Sequence, residues 1–588
     1  MAQWSELTTR WGIEQSYYDV QGRRRDANPE TIRSVAAALS LPGNPPPAQL
    51  DVEATPRPAF QGDGRRLWVL AVQLYGVRSR RNWGHGDFTD LAHLLEIVAD
   101  AGGAGIGLNP LHALLYDRAG AFSPYSPNSR LFFNPLYIDV DAVEEFRDAD
   151  AAFAATEIEQ LRAAELVDYD AVARIKLAAL RGAYESFRLN GSEARRQDFD
   201  MYRQERGRSL QYFAAFETLR GQYSGPWSNW PEAWRHPTDI AIAELRERHR
   251  DEFGFHEFLQ WNAERQLCRC SELAQRRSLS IGLYLDIAVG VDVGGADAWI
   301  DQAAVLRGLS VGAPPDQYNT AGQDWGLTAY NPHGLVASDF APFRQMLGTA
   351  MKYAGAVRVD HVLGLNRLYV IPQGLKADRG VYLRMPLLQM LAVAAEESRR
   401  CRCVTVGEDL GTVPAGLRDT LSAWGIWSYL VMLFERNADG SFRRPSEYRE
   451  KAVATFGTHD LPTFAGWMSG HDLIVKRAIG VDPGETGDER HNARIALQAA
   501  VVAVIGNAQI GFDDVVAFLA ESPTRLLSIA IEDVLDVVDQ SNIPGTIAEH
   551  PNWRRRWPIM LEQLPGDQRL HRIAATLARA GRGSTSAF

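Results

Sequence analysis

Cysteine is scarce: the 588 residues hold four, as two Cys-Arg-Cys pairs, Cys268/Cys270 and Cys401/Cys403. That is too few for a disulfide scaffold in so long a chain. One residue between paired cysteines is also shorter than the usual zinc spacing, so reduced thiols and no bound metal are expected. Long apolar runs are missing too. None reaches the roughly 20 residues of a membrane-spanning helix. Met1 leads into the polar Ala2-Gln3-Trp4-Ser5-Glu6 rather than a basic region followed by an apolar one. The expectation is a soluble, cytoplasmic protein with no membrane partner. Positive charge is in deficit, with 62 Lys and Arg against 73 Asp and Glu and a formal net charge of −11. Nucleic acid usually meets a basic face, so no nucleic acid is expected and a neutral or cationic ligand is. No fixed-period repeat is visible, which argues against a solenoid.

What is present is an ordinary globular composition, 46% hydrophobic and 23% charged, and this indicates neither disorder nor a fibrous class. Residues 1–50 read as a small helical unit and linker, with Thr31 to Leu39 its clearest helical stretch and Leu41-Pro42-Gly43-Asn44-Pro45-Pro46-Pro47 the linker. Over 51–588, strand-like runs recur: Leu67 to Val77, Ala104 to Leu111, Ile281 to Val289, Ala356 to Leu363, Cys403 to Glu408, Ile426 to Phe434, Val453 to Phe456 and Val537 to Ile543. Helical patterns such as Leu91 to Val98, Leu387 to Ala394 and Asn492 to Ile505 separate most of them. Eight runs alternating with helices predict an α/β chain folded as a TIM (β/α)8 barrel. A bare barrel needs about 250 residues. The excess is assigned to insertions, chiefly a charged, alanine-rich helical stretch at about 142–280 between the second and third strands.

Three runs end in an acidic residue: Ala356-Val357-Arg358-Val359-Asp360-His361, Val404-Thr405-Val406-Gly407-Glu408-Asp409 and Ala454-Thr455-Phe456-Gly457-Thr458-His459-Asp460. They read as the fourth, fifth and seventh strands, and a barrel places its chemistry at the C-terminal ends of its strands. Three carboxyls on one rim is the arrangement of retaining α-glycosidases, where one carboxylate attacks the anomeric carbon and a protonated one serves the departing oxygen. Asp360 suits the nucleophile, because Arg358 two residues earlier points to the same side and keeps it ionised. Glu408 suits the acid/base, with a longer arm and a pKa raised by the charge of Asp360. Asp460 is left to stabilise the oxocarbenium-like transition state.

The chain resembles, at several places in one order, the amylomaltase or disproportionating-enzyme family of 4-α-glucanotransferases, which is related to the α-amylases. The motifs are Ser123-Pro124-Tyr125-Ser126-Pro127-Asn128-Ser129-Arg130 with Asn134-Pro135-Leu136, Gly282-Leu283-Tyr284-Leu285-Asp286, and Gly312-Ala313-Pro314-Pro315-Asp316 with Gly322-Gln323-Asp324-Trp325-Gly326. They continue through Arg358-Val359-Asp360-His361, Gly407-Glu408-Asp409-Leu410-Gly411, Gly457-Thr458-His459-Asp460, and Asn542-Ile543-Pro544-Gly545-Thr546 to Asn552-Trp553. The resemblance implies no cofactor and a substrate set of linear α-1,4-glucans, maltooligosaccharides and glucose. It implies Asp360, Glu408 and Asp460 as the catalytic residues. Among substrate-binding residues it implies Tyr125 stacked on the donor glucose, Gln323 and Trp325 over the acceptor side, and Arg358, His361 and His459 beside the cleaved bond. Asp286 joins the same hydrogen-bond network, and Asn552 lies on a loop lining the cleft. The sequence departs from the family in lacking a long N-terminal extension that some members carry, and in reading Asp460-Leu461-Pro462-Thr463 where many have Asp-Asn-Asp-Thr. Transfer rather than hydrolysis requires an acceptor site that holds water off, for which Trp325 and Tyr330 on a Gly-, Pro- and Asn-rich loop are the expected lid.

Other readings of the same residues are an α-glucan hydrolase on the same barrel and a non-catalytic glucan-binding protein. Asp360-His361 and His459-Asp460 also fit a metal-dependent phosphohydrolase, but no dense ligand cluster accompanies them. Gly103-Ala104-Gly105-Ile106-Gly107 mimics a dinucleotide turn, yet Asn109-Pro110 stands where the helix should open, so tight packing at a strand start is the better account.

Overall fold

The structure, a computed structural model, describes residues 2–19, 22–116, 120, 122–147, 152–315, 321–507 and 509–583. Its centre is a parallel sheet of eight strands: β1 Leu67–Val72, β2 Gly105–Leu108, β3 Gly282–Ile287, β4 Ala356–Val359, β5 Val404–Gly407, β6 Ser428–Val431, β7 Ala452–Thr455 and β8 Leu526–Ala530. The order runs β5-β4-β3-β2-β1-β8-β7-β6, with β8 paired on β1. Gly407 N–H donates to Trp427 O at 2.8 Å and Trp427 N–H to Thr405 O at 2.9 Å, which closes β5 against β6. The result is a (β/α)8 barrel. Its lumen is packed by Val69, Tyr284, Val404, Val406, Tyr429 and Val453 among others. The outward residues lie under helices, so the strands read as unbroken apolar runs. At the start of β2 the backbones approach so closely that a Cβ on Gly105 would sit 2.3 Å from Gly282 O; packing, not nucleotide binding, accounts for that glycine.

Seven of the eight strands lie where the sequence places them, and the eighth does not. It is Leu526–Ala530, whereas residues 537–543 form irregular backbone beyond the short helix Ile531–Val534. Val537 and Val538 imitate a strand through their β-branching, but Val538 is 40% exposed. Leu526 packs into the lumen and Leu527 into the outer core, so burial decides against propensity. The outer layer includes Phe88–Asp100, Arg250–Arg276, Ala341–Met351, Leu387–Cys401, Leu417–Ala423, Phe512–Ala520 and Gln568–Arg579. Between β6 and β7 a 3-10 turn at Pro445–Glu447 stands in place of a helix. Among the described residues no helix is long and apolar enough to cross a membrane.

Between β2 and β3 the chain first makes the antiparallel pair His112–Ala113 and Ser129–Phe133, then helices that include Tyr169–Asn190, Glu193–Gln222 and Asp239–Arg248. Phe187, Phe199, Phe258 and Trp261 form their aromatic core. A further sheet was not legible in the sequence. It is five-stranded and antiparallel throughout, in the order Val381–Arg384, Arg367–Pro372, Leu309–Ala313, Gln323–Thr328, Val291–Asp292, and it is built from the segments that follow β3 and β4. The N-terminal residues, two helices (Ala2–Trp11, Pro29–Leu39) with a hairpin of Ser16–Tyr18 and Arg24–Asp26 between them, dock on this sheet. Tyr17 meets the rings of Tyr369 and Tyr382, and Ile13 bridges to Leu383.

Candidate active site

Arg358 sits beside Asp286 in the β3–β4 register, both side chains facing the lumen. Its Nη1 donates to both Asp286 oxygens at 2.8 Å, and its Nη2 pairs with Asp360 Oδ1 at 2.8 Å. One guanidinium thus holds two carboxylates, a task suited to arginine's planar fork. Tyr125 Oη donates to Asp286 Oδ2 at 2.6 Å and lies 3.2 Å from His459 Nδ1, while its ring stacks on His459 at 4.5 Å. Burial first, then the charge of Asp286, keep the Tyr125 phenol protonated. For Asp286, burial and Asp360 push the pKa up while Arg358 opposes them, and the net direction is upward.

Glu408 follows the last residue of β5. Its Oε2 accepts from His361 N–H at 2.9 Å and its Oε1 from Leu410 N–H at 3.0 Å. His361 reaches this position in the left-handed region, at φ 48°, a conformation that costs a non-glycine residue about 1 kcal/mol or more and clusters at functional sites. Its ring is pushed towards the neutral form by burial. Burial raises the Glu408 pKa to about 7, with Asp360 adding to the rise and Arg358 opposing it. The sequence argument put Asp360 first; in the structure desolvation is larger.

Asp460 accepts from Asn542 Nδ2 at 2.6 Å and faces His459 Nε2 at 3.5 Å. Burial pulls its pKa up, but His459 and Asn542 outweigh it, so Asp460 is held below the usual range. Burial lowers the His459 pKa and Asp460 more than restores it. Each member of the pair thus favours the charged form of the other.

The remaining residues named from the sequence fall in two groups. Trp325 stands on the strand Gln323–Thr328, its ring 5.3 Å from that of His361 and its Nε1 donating to Gln323 Oε1 at 3.2 Å. Trp325 is therefore next to the residue that holds Glu408, and Gln323 holds Trp325. Asn552 is engaged elsewhere: its Oδ1 accepts from Ile543 N–H and its Nδ2 donates to Thr546 O and Oγ1, which ties the 543–552 loop together. Tyr330 is no lid, since it is buried under Arg130 and against Phe343. Asp316 lies outside the described residues. Asn542 and Trp553 were missed as individual residues; Trp553 packs against both Tyr125 and His459. Both stood inside the last quoted motif, but nothing in the spacing said which asparagine would face Asp460.

A closed parallel barrel with an arginine-held carboxylate and a proton-holding carboxyl at its C-terminal rim defines a barrel enzyme of acid/base chemistry. The family model described as 4-alpha-glucanotransferase matches residues 72–561. A 4-alpha-glucanotransferase of Mycobacterium tuberculosis is 37% identical over 555 residues, 89% of this chain and 76% of the relative. One from Haemophilus influenzae is 34% identical, over 85% of this chain and 77% of the relative. Among solved structures, amylomaltase from Corynebacterium glutamicum superposes with a TM-score of 0.84 at 24% identity, covering 98% of this chain and all of that one. Amylomaltase from Streptococcus agalactiae in complex with acarbose gives 0.71 at 19% identity, over 88% of this chain and 100% of that one. The chain belongs to the 4-alpha-glucanotransferase family. It is an enzyme that transfers glucan units.

Proposed function

We propose that the chain is a retaining 4-α-glucanotransferase that moves α-1,4-linked glucosyl or maltooligosyl units to an acceptor glucan or glucose through a glycosyl ester on Asp360. The observation that carries this reading is the division of labour at the ends of β4 and β5. Asp360 is ion-paired with Arg358, while adjacent Glu408 titrates at about 7. In the first step an Asp360 oxygen forms a bond to the anomeric carbon as the glycosidic C–O bond breaks, and Glu408 gives its proton to the departing oxygen. Ester formation removes the Asp360 charge, so the Glu408 pKa falls and its carboxylate becomes a base. In the second step an acceptor hydroxyl attacks the same carbon, Glu408 takes its proton, and Asp360 leaves as carboxylate. Asp460, kept anionic by His459 and Asn542, favours the positive charge that develops on the ring. Trp325, beside His361, offers an aromatic face on the leaving-group side, where the acceptor enters.

Incubation with maltotriose alone tests this reading. Oligosaccharides longer than three units together with glucose are expected; glucose and maltose alone would contradict transfer and favour hydrolysis. Asp360→Asn is expected to lower the transfer rate about a thousandfold or more with the fold retained, and parental activity would remove Asp360 from its role.

A further inference from the structure

With the eighth strand at Leu526–Ala530, the rule that picked out Asp360, Glu408 and Asp460 picks out one more pair. The run Leu526-Leu527-Ser528-Ile529-Ala530-Ile531 ends in Glu532-Asp533. Asp533 has a structural task, since its Oδ1 accepts from Phe464 N–H at 2.6 Å at the start of the helix Phe464–Ser469. Glu532 has none of that kind. Among the described residues its carboxyl accepts only from its own backbone N–H.

Glu532 borders a cavity of about 100 Å3 in the barrel opening, together with Arg358, Tyr125, His459 and Ser541. β8 stands four strands from β4 in the closed ring of eight, so Glu532 and Arg358 approach this cavity from opposite sides. On the reading that Asp360 receives the glycosyl group, a sugar bound there to the ion-pair partner of Arg358 and reaching across the opening would run from the β4 side towards the β8 side. The cavity is bordered by Arg358, Asp286, Tyr125 and His459 and not by Asp360, Glu408, Asp460 or Trp325; in the proposed mechanism Glu408 and Trp325 lie with the leaving group. With the ring pair Tyr125 and His459 and the nucleophile's partner Arg358 on its wall, the cavity is assigned to the donor half of the cleft. We propose that Glu532 is a donor-binding residue, its carboxyl hydrogen-bonded to a hydroxyl of the glucosyl unit that lies against Tyr125 and His459. The inference rests on the reading that Asp360 receives the glycosyl group. Burial raises the Glu532 pKa to about 7, so at and below neutrality much of it is a neutral acid, able to donate to one sugar oxygen and accept from another. A half-buried site carboxyl that meets a hydroxyl discriminates against a ligand lacking it.

The experiment is a cycle between residue and hydroxyl. The kcat/KM of the parent and of Glu532→Ala is measured with maltotriose and with maltotriose analogues that each lack one hydroxyl of the transferred glucosyl unit. Unfolding midpoints are compared alongside. On maltotriose, Glu532→Ala is expected to lose roughly tenfold. On one analogue, to which the parent is correspondingly poorer, the variant is expected to lose nothing further. Glu532→Gln, which keeps a donor and an acceptor in place, is expected within about threefold of the parent. Equal activity of the alanine variant, or an equal loss on every analogue, overturns the proposal. If Glu532→Ala does not fold, Glu532→Asp, with the arm shortened by one methylene, is read in the same way. A parent that makes no longer oligosaccharides from maltotriose overturns the transferase reading, and this proposal with it. A parent that makes them, paired with an indifferent alanine variant, overturns this proposal alone.

Discussion

Replacing Arg358 by methionine should produce a loss of stability that grows with pH. The side chain is 11% exposed and gives three contacts of 2.8 Å to Asp286 and Asp360. Removing one member of a buried ion network typically costs about 3–5 kcal/mol, because the partners remain as uncompensated charge. Asp286 has an escape. Burial already raises its pKa and Arg358 is the largest influence holding it down, so without the guanidinium it takes up a proton at a pH where the parent stays ionised. A carboxyl with a raised folded-state pKa contributes stability below its unfolded value near 3.8 and loses it as pH rises towards the folded value. The deficit of Arg358→Met relative to the parent should therefore be smallest at the acid end of the range, where protonated Asp286 no longer needs the guanidinium and only the lost pair with Asp360 remains. It should increase by up to about 1.4 kcal/mol per pH unit while Asp286 titrates in the variant. Urea unfolding of both proteins at pH 5, 6.5 and 8 measures it. Residual activity gives a second readout: Arg358 also lowers the Glu408 pKa, so the alkaline limb of the variant should move upward. A deficit equal at all three pH values would refute the reasoning, since it would mean that no carboxyl charge depends on Arg358.

Two further outcomes follow from the same electrostatics and packing. If Glu408 is the acid proposed, the parent's kcat should decline as pH rises through about 7, where Glu408 loses its proton. With a glycosyl fluoride, whose leaving group needs no proton, this decline should be absent from the glycosylation step, and an unchanged decline would assign the limb to another group. Arg582 is fully buried with its guanidinium donating to the carbonyls of Ala520, Ser522 and Thr524. Lysine cannot reproduce that fork, so Arg582→Lys should cost about 2–3 kcal/mol, read as a lower unfolding midpoint and faster proteolysis of the C-terminal residues; an unchanged midpoint would show that the clamp contributes nothing.

The rim that carries Asp360, Glu408 and Asp460 was legible because continuous burial leaves a plain trace. Ala356–Val359, Val404–Gly407 and Ala452–Thr455 are covered on both faces, and each leads to an acid that only a rim can place. β8 was not legible, because Leu526–Ala530 holds one β-branched residue, Ile529, while Val537-Val538 sets two side by side. Only tertiary burial separates the two, and the error hid Glu532. The five-stranded sheet was hidden for another reason: Leu309–Ala313 pairs with Arg367–Pro372 across more than fifty intervening residues and the whole of β4, and short strands carry no local signature of so distant a partner. Asn542 and Asn552 look alike in sequence; one meets Asp460 and the other ties its own loop. Spacing alone does not tell them apart.

The glycosyl ester on Asp360 is tested most directly by trapping it. In Glu408→Gln, a maltooligosyl fluoride can form the ester without an acid, while deglycosylation lacks its base. Intact-mass spectrometry of the quenched variant, followed by peptide mapping, should show one maltooligosyl group per chain, on the peptide that carries Asp360. Fluoride release with no adduct, or an adduct on any other residue, would contradict the double-displacement mechanism proposed for this site.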